Sequence, residues 1–225
     1  MNIRYATEAD TPTLAEINIV SFQHGPFYRA TFRNVDPRVA IPMKHARGLS
    51  KLTNPRTHLL VATDAAEQIL GTARWLFPAS SPARETGAIA ISDEGRAKAA
   101  QVEELRPQGM NLAVYEEFLK VLEETRATHA KEDDIMLELL ATYPQHQGKG
   151  VGSALLRWGL QKANEIGARI YLEATDEGYP LYCRYGFTEI GEIVMDYSVY
   201  GGDGSQRYVV MVRDPDPVST EERTE

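Results

Sequence analysis

Apolar and polar positions change period several times along the chain, and each change marks an element. Residues 3–6 fit a short first strand. Asp10 then stands as an N-cap with Pro12 in the first turn of a helix whose inward stripe is Leu14, Ile17 and Val20 or Ser21. SFQHGPFYRATF mixes aromatics with Gly25 and Pro26 and reads as a loop leading into a short helix. THLLVATD and ILGTARWLF, joined by a short connection, read as the strands of a hairpin. Residues 78–92 read as an irregular connection. A helical region follows, broken at Pro107-Gln108-Gly109, and its second half sets Leu112, Tyr115, Leu119 and Leu122 on one face.

IMLELLAT, residues 135–142, is nearly all apolar, as a central strand covered on both faces would be. Beyond Pro144, QHQGKGVGS opens a helix with Leu155, Leu156, Gly159, Ala163 and Ile166 on one side and Gly167 at its end. The strand ARIYLEA, a short helix over 180–184, a strand after Phe187 and a last strand over 208–212 complete the order. The fold class is a mixed α/β sheet with helices on both faces.

Composition narrows the function classes. The chain has 225 residues, 43% hydrophobic and 25% charged, which suits one domain with additions. We expect that domain over 1–213, with 78–134 as an enlarged helical insertion and 214–225 as a disordered acidic tail. A lone cysteine, Cys183, excludes an internal disulfide and a cysteine-rich zinc site, and the five histidines lack ligand spacing, so no metal is expected. No apolar run is long enough for a membrane span, and MNIRYATEAD does not read as a leader. A cytoplasmic protein, with the nucleus as the alternative, is expected. The formal net charge of −8 speaks against a nucleic-acid partner and mildly favours cationic acceptors such as amines.

The chemistry concentrates in one unit: a buried strand, a glycine-studded turn, then an amphipathic helix. Such a turn aims free backbone N–H groups and the positive end of the helix dipole at one point. Gly148, Gly150 and Gly152 leave room for a pyrophosphate at the backbone. A P-loop fails, because Lys149 precedes Gly150 and not Ser or Thr. The dinucleotide fingerprint also fails, because the spacing is G-x-G-x-G.

The run Gln147-Gly148-Lys149-Gly150-Val151-Gly152 resembles the acyl-CoA signature of the GCN5-related N-acetyltransferase (GNAT) superfamily, Gln/Arg-x-x-Gly-x-Gly/Ala. Leu140-Ala141-Thr142 before it, Leu181-Tyr182-Cys183-Arg184-Tyr185-Gly186-Phe187 after it and the opening IRYATEADTPTLAEI are similar to family segments in the same order. The resemblance implies a mostly antiparallel twisted sheet with a central splayed strand pair. It also implies acetyl-CoA as co-substrate. The pantetheine arm would pair with Leu140, Ala141 and Thr142, and the pyrophosphate would sit on Gln147, Gly148, Lys149, Gly150, Val151 and Gly152, with Ser153 nearby. Thr175 stands where relatives often place an asparagine that contacts the CoA arm.

Acetyl transfer from a thioester needs a neutral amine, a polarised carbonyl and a protonated leaving thiolate. By the resemblance, Tyr182 is the acid beside the sulfur. For the base we single out Glu138, the one charge inside the apolar strand, which by alternation shares a face with Met136, Leu140 and Thr142. Burial would raise its pKa; the other reading is a carboxylate paired with an arginine or reaching solvent at a sheet edge. Glu173 is the reserve. An acyl-cysteine on Cys183 lacks an activating histidine. The acceptor site is expected around residues 24–32 and 197–200, whose aromatics either line a pocket or fill a secondary core.

The expected activity is acetyl-CoA-dependent N-acetylation of a primary amine of a small molecule, in a ternary complex, by a monomer or homodimer. A peptide N-acetyltransferase and a non-catalytic CoA-binding module are the alternatives.

Overall fold

The computed structural model describes residues 1–81 and 89–217. In chain order the elements are β1 (Asn2–Tyr5), α1 (Thr11–Phe22), α2 (Pro26–Thr31), α3 (Ile41–Leu52), β2 (Thr57–Thr63), β3 (Ile69–Leu76), α4 (Asp93–Ala100), α5 (Leu112–His129), β4 (Ile135–Thr142), α6 (Val151–Ile166), β5 (Ile170–Thr175), α7 (Tyr179–Arg184), β6 (Thr188–Asp196) and β7 (Ser205–Arg213). Part of the connection expected to be irregular, 82–88, and the tail residues 218–225 lie outside the described residues. The earlier tail residues are tied down: Asp216 pairs with Arg213 and accepts from Asn164 of α6.

The strands form one sheet in the order β1-β2-β3-β4-β5-β7-β6, and every pairing is antiparallel except β4 with β5. That one parallel pair is short. It joins Ile135 to Ile170, Met136 to Tyr171 and Leu137 to Leu172, and there it stops. Beyond it β4 stays on β3 as far as Thr142, while β5 stays on β7 as far as Thr175. The sheet therefore opens into a V at its centre. The closed end is pinned by a bidentate pair between Arg169 and the fully buried Asp134 carboxylate, at 2.7 and 2.8 Å.

One face of the sheet packs on α6 through Trp75, Ile135, Leu137, Leu155, Leu156, Leu172 and their neighbours. The other face is covered by α1, α2, α3 and α5 through two further buried clusters. Several expected stripes are displaced. Helix α1 buries two sides, with Leu14 and Ile17 in one cluster and Ile19 in the next, because it lies in the angle between the sheet and its neighbouring helices. On α5, Leu112 and Leu119 are exposed, and Val114, Tyr115, Phe118, Val121 and Leu122 face inward. The Phe118 ring sits 4.3 Å from that of Phe27, which sets this rotation. Ile166 of α6 is exposed, and Val151 and Leu160 join the buried side. Helix α3 was not expected from the sequence at all, although Pro42 in its first turn and Met43, Ala46, Leu49 and Leu52 at three-residue steps signal it.

Candidate active site

Strand β4 carries the first half of the site. Between Arg74 and Trp75 of β3 the register slips, so that Trp75 faces Leu137 and Arg74 faces Leu139. Glu138 is the extra residue of a bulge, which reverses the alternation behind it. Leu137 and Leu140 consequently pack on the same α6 face, and the Thr142 hydroxyl approaches Gly71 and Gly152. The expected common face for Glu138, Leu140 and Thr142 is thus overturned. Glu138 instead points to the α3 side, where Lys51 donates to it at 3.0 and 3.1 Å and Arg74 at 2.7 Å.

That pairing also overturns the expected pKa. Burial pushes the Glu138 carboxyl up, but Arg74 and Lys51, with Arg126 behind them, outweigh it and hold it below the ordinary carboxylate value. The group is a paired anion, as the arginine-paired reading had it. Glu173, the reserve, is engaged likewise: Arg126 of α5 grips it bidentately at 2.8 and 3.0 Å. These two carboxylates stand on the two walls of the V, on its α3/α5 side.

The second half is the turn into α6. Gly148 and Gly150 have φ of 70° and 83°, which glycine adopts without strain. A side chain built at either would meet nothing within 4 Å, so both flank open space. No side chain caps α6, whose N-cap is Gly150 itself, and the first-turn N–H groups are left for an anion. The Gln147 amide reaches back to the Thr142 carbonyl at 3.3 Å and ties the turn to the open end of β4. Gly152 lies between the Leu140, Leu181 and Thr142 side chains, and Ser153 follows in the first turn. Val151 is buried under the turn and packs with the α6 face, whereas Lys149 is exposed. On the α1/α3/α5 side Ala141 is buried.

Tyr182 of α7 belongs to the buried cluster on the α6 face, 8% exposed, with its ring edge-on to Phe187 at 5.6 Å. Burial raises its phenol well above the ordinary value, so the hydroxyl is protonated at neutral pH. Among the described residues that hydroxyl has no hydrogen-bond partner, and it is not one of the sealed polar atoms. Thr175 closes β5 and its hydroxyl accepts from Gly178 N–H at 3.3 Å, starting the turn into α7. Cys183 is exposed.

The aromatics expected near the acceptor form a core. Phe27, Tyr28, Phe32 and Tyr197 are all buried in one cluster, and Tyr28 donates to Asn18 at 2.6 Å. Two shallow depressions among the described residues, around Pro55, His58 and Phe77 and around Glu8, His45 and Lys98, include no residue of the V.

Residues 109–189, which hold β4, the glycine turn, α6, β5 and α7, match the family model of the acetyltransferase (GNAT) domain. This segment of the chain is thus similar to GNAT acetyltransferases. The chain is 25% identical over 199 residues to an acetyltransferase of the fungus Stachybotrys chartarum, which covers 85% of this chain and 82% of the relative. The fold is similar to that of the histone acetyltransferase HPA2 and related acetyltransferase of Corynebacterium glutamicum, with a TM-score of 0.62, 23% identity and coverage of 97% and 98%. It is also similar to the PaiA N-acetyltransferase of Thermoplasma acidophilum in complex with coenzyme A, at a TM-score of 0.51, 16% identity and coverage of 95% and 98%. No described helix is long and apolar enough to cross a membrane, and no group of metal-ligating side chains is found among the described residues.

Proposed function

We propose that the protein transfers the acetyl group of acetyl-CoA to a primary amine of a small molecule, in a ternary complex. The observation that carries this is the V between β4 and β5, with the uncapped N-terminus of α6 at its open end. In this reading the pantetheine arm runs beside Leu140, Ala141 and Thr142. The pyrophosphate rests on the backbone of residues 147–152 with Ser153 beside it, and Thr175 lies across the V. Lys149, being exposed, adds charge near the phosphates without enclosing them.

The neutral amine enters from the α3/α5 side and attacks the thioester carbonyl carbon. The C–N bond forms, the C–S bond breaks, and the sulfur takes up the electron pair. Tyr182 donates its hydroxyl hydrogen toward the departing sulfur. Burial keeps the phenol protonated at neutral pH, so its hydrogen is at hand for the departing sulfur. Glu138, already ionised and paired, holds Arg74 and Lys51 at the acceptor side, and water removes the amine proton.

A panel of amines, scored for free thiol release and for the mass of the acetylated product, tests this. Product formation with at least one small amine is expected. Saturable CoA binding with no thiol release from any amine or peptide would favour a binding module, and acetylation of peptide N-termini alone would favour the peptide enzyme.

A further inference from the structure

On the acceptor side of the V, positive charge exceeds negative charge although the chain as a whole is acidic. Lys44, Arg47 and Lys51 follow each other on α3 at three- and four-residue steps and so share one stripe. Arg74 of β3 and Arg126 of α5 face the same space. Five cations thus meet two carboxylates, Glu138 and Glu173, and those two are taken by Lys51, Arg74 and Arg126. Nothing comparable answers Lys44 and Arg47. The Lys44 ammonium lies 5.5 Å from the centre of the Tyr28 ring, and the Arg47 guanidinium 5.6 Å from that of Tyr115. Neither forms an ion pair among the described residues. Arg106, also near Tyr115, differs in having Glu103 and Glu116.

Half-buried cations without counter-charge are costly, and a site keeps them where a ligand brings the anion. Burial, then the charges of Arg47 and Arg74, pull the Lys44 ammonium down to about 7, and an anion seated beside it would restore its charge. We propose that the acceptor is an amine that also bears an anionic group, a carboxylate or a phosphonate, bound by Lys44 and Arg47 while the amine points into the V. The position of the amine rests on the acetyl-transfer reading; the anion site does not. The stripe from Lys44 to Lys51 leads toward Glu138, which the Lys51 ammonium contacts at 3.0 Å. The general acidity of the chain, which by itself favours a purely cationic acceptor, is locally reversed.

Two measurements test this. The first compares KM for α-amino acids with KM for their amides, and for aminoalkyl phosphonates with their neutral diesters, in the wild-type enzyme and in Lys44→Gln and Arg47→Gln. The anionic amines should be favoured at least tenfold in kcat/KM, through KM, and each variant should remove most of that preference while changing the neutral amines less than twofold. Which anionic series is favoured tells carboxylate from phosphonate. Equal kcat/KM for each anionic amine and its neutral counterpart would overturn the proposal. The second needs no turnover. With the CoA site saturated, inorganic phosphate at millimolar concentration should raise the melting temperature of the wild type and not of the folded Lys44→Gln/Arg47→Gln double variant. Equal shifts in both, or none in either, would count against the anion site. A panel in which no amine reacts but phosphate still discriminates would sink the acetyl-transfer reading and leave the anion site standing.

Discussion

Replacing Glu138 with Gln keeps the volume and removes one charge from the centre of the acceptor side. In the wild type this carboxylate accepts hydrogen bonds of 3.0 and 3.1 Å from Lys51 and 2.7 Å from Arg74, and its side chain is only 8% exposed. Breaking a buried pair from one side costs about 3–5 kcal/mol, because the cations stay behind. Lys51 and Arg74 keep some contact with water, so the lower end, about 3 kcal/mol, is the better figure. For a domain of this size that is a fall of about 6–12 °C in melting temperature. The pH dependence has a definite sign. The folded carboxyl titrates below its unfolded value of 4.5, so its contribution is present above pH 4.5 and is lost as pH falls through the folded value. Denaturant melts of both proteins from pH 7 to pH 3 should therefore show a gap that is full at neutral pH and narrows below about pH 4.5. A gap that is absent at pH 7, or that widens on acidification, would refute the pairing. Turnover measured across neutral pH should keep its shape in Glu138→Gln; loss of an acidic limb near pH 6 would restore Glu138 as the base.

Gly159 of α6 faces Trp75 so closely that an added Cβ would lie 2.1 Å from the indole ring. Gly159→Ala should destabilise by about 2 kcal/mol in urea melts despite the gain in helix propensity, whereas an ordinary exposed glycine would gain from the change. Tyr182→Phe should leave CoA affinity nearly unchanged and lower turnover about ten- to a thousandfold, with a smaller loss for a thioester of a more acidic thiol; an equal loss with both donors would make the tyrosine a positioning group. Asp134→Asn, which leaves Arg169 unmatched at the closed end of the V, should cost about 3 kcal/mol by the same melts and weaken CoA binding as the strands loosen.

The sheet class and the glycine turn are legible in the sequence because both are local. The apolar run from Ile135 to Thr142, stopped by Pro144, has the length and bounds of a strand, and G-x-G-x-G before an amphipathic helix marks the turn. The direction of Glu138 lies beyond what periodicity can supply. A single bulge, fixed by the register of β3 against β4, reverses which residues share a face. The stripe on α3 is not legible in the sequence, because its helix follows a turn at Pro37 and is broken in appearance by Pro42 and Gly48, which hides Lys44, Arg47 and Lys51 as one row. On α5 the period is legible and the rotation is not, since the phase depends on Phe27 from a distant segment.

The central claim is that acetyl-CoA seats its pyrophosphate on the turn into α6. Gly150 has positive φ and open space beyond it, so Asn, which tolerates that conformation best, and Asp differ there mainly in charge. Melting temperatures of the wild type, Gly150→Asn and Gly150→Asp, each without and with CoA, test the claim directly. At about a hundred times the dissociation constant, CoA should stabilise the wild type by about 2.7 kcal/mol, or roughly 5–10 °C. The Asn variant should keep much of this shift, and the Asp variant, equally folded, should lose nearly all of it. A shift of the same size in Asp and Asn would place the pyrophosphate elsewhere and contradict the claim.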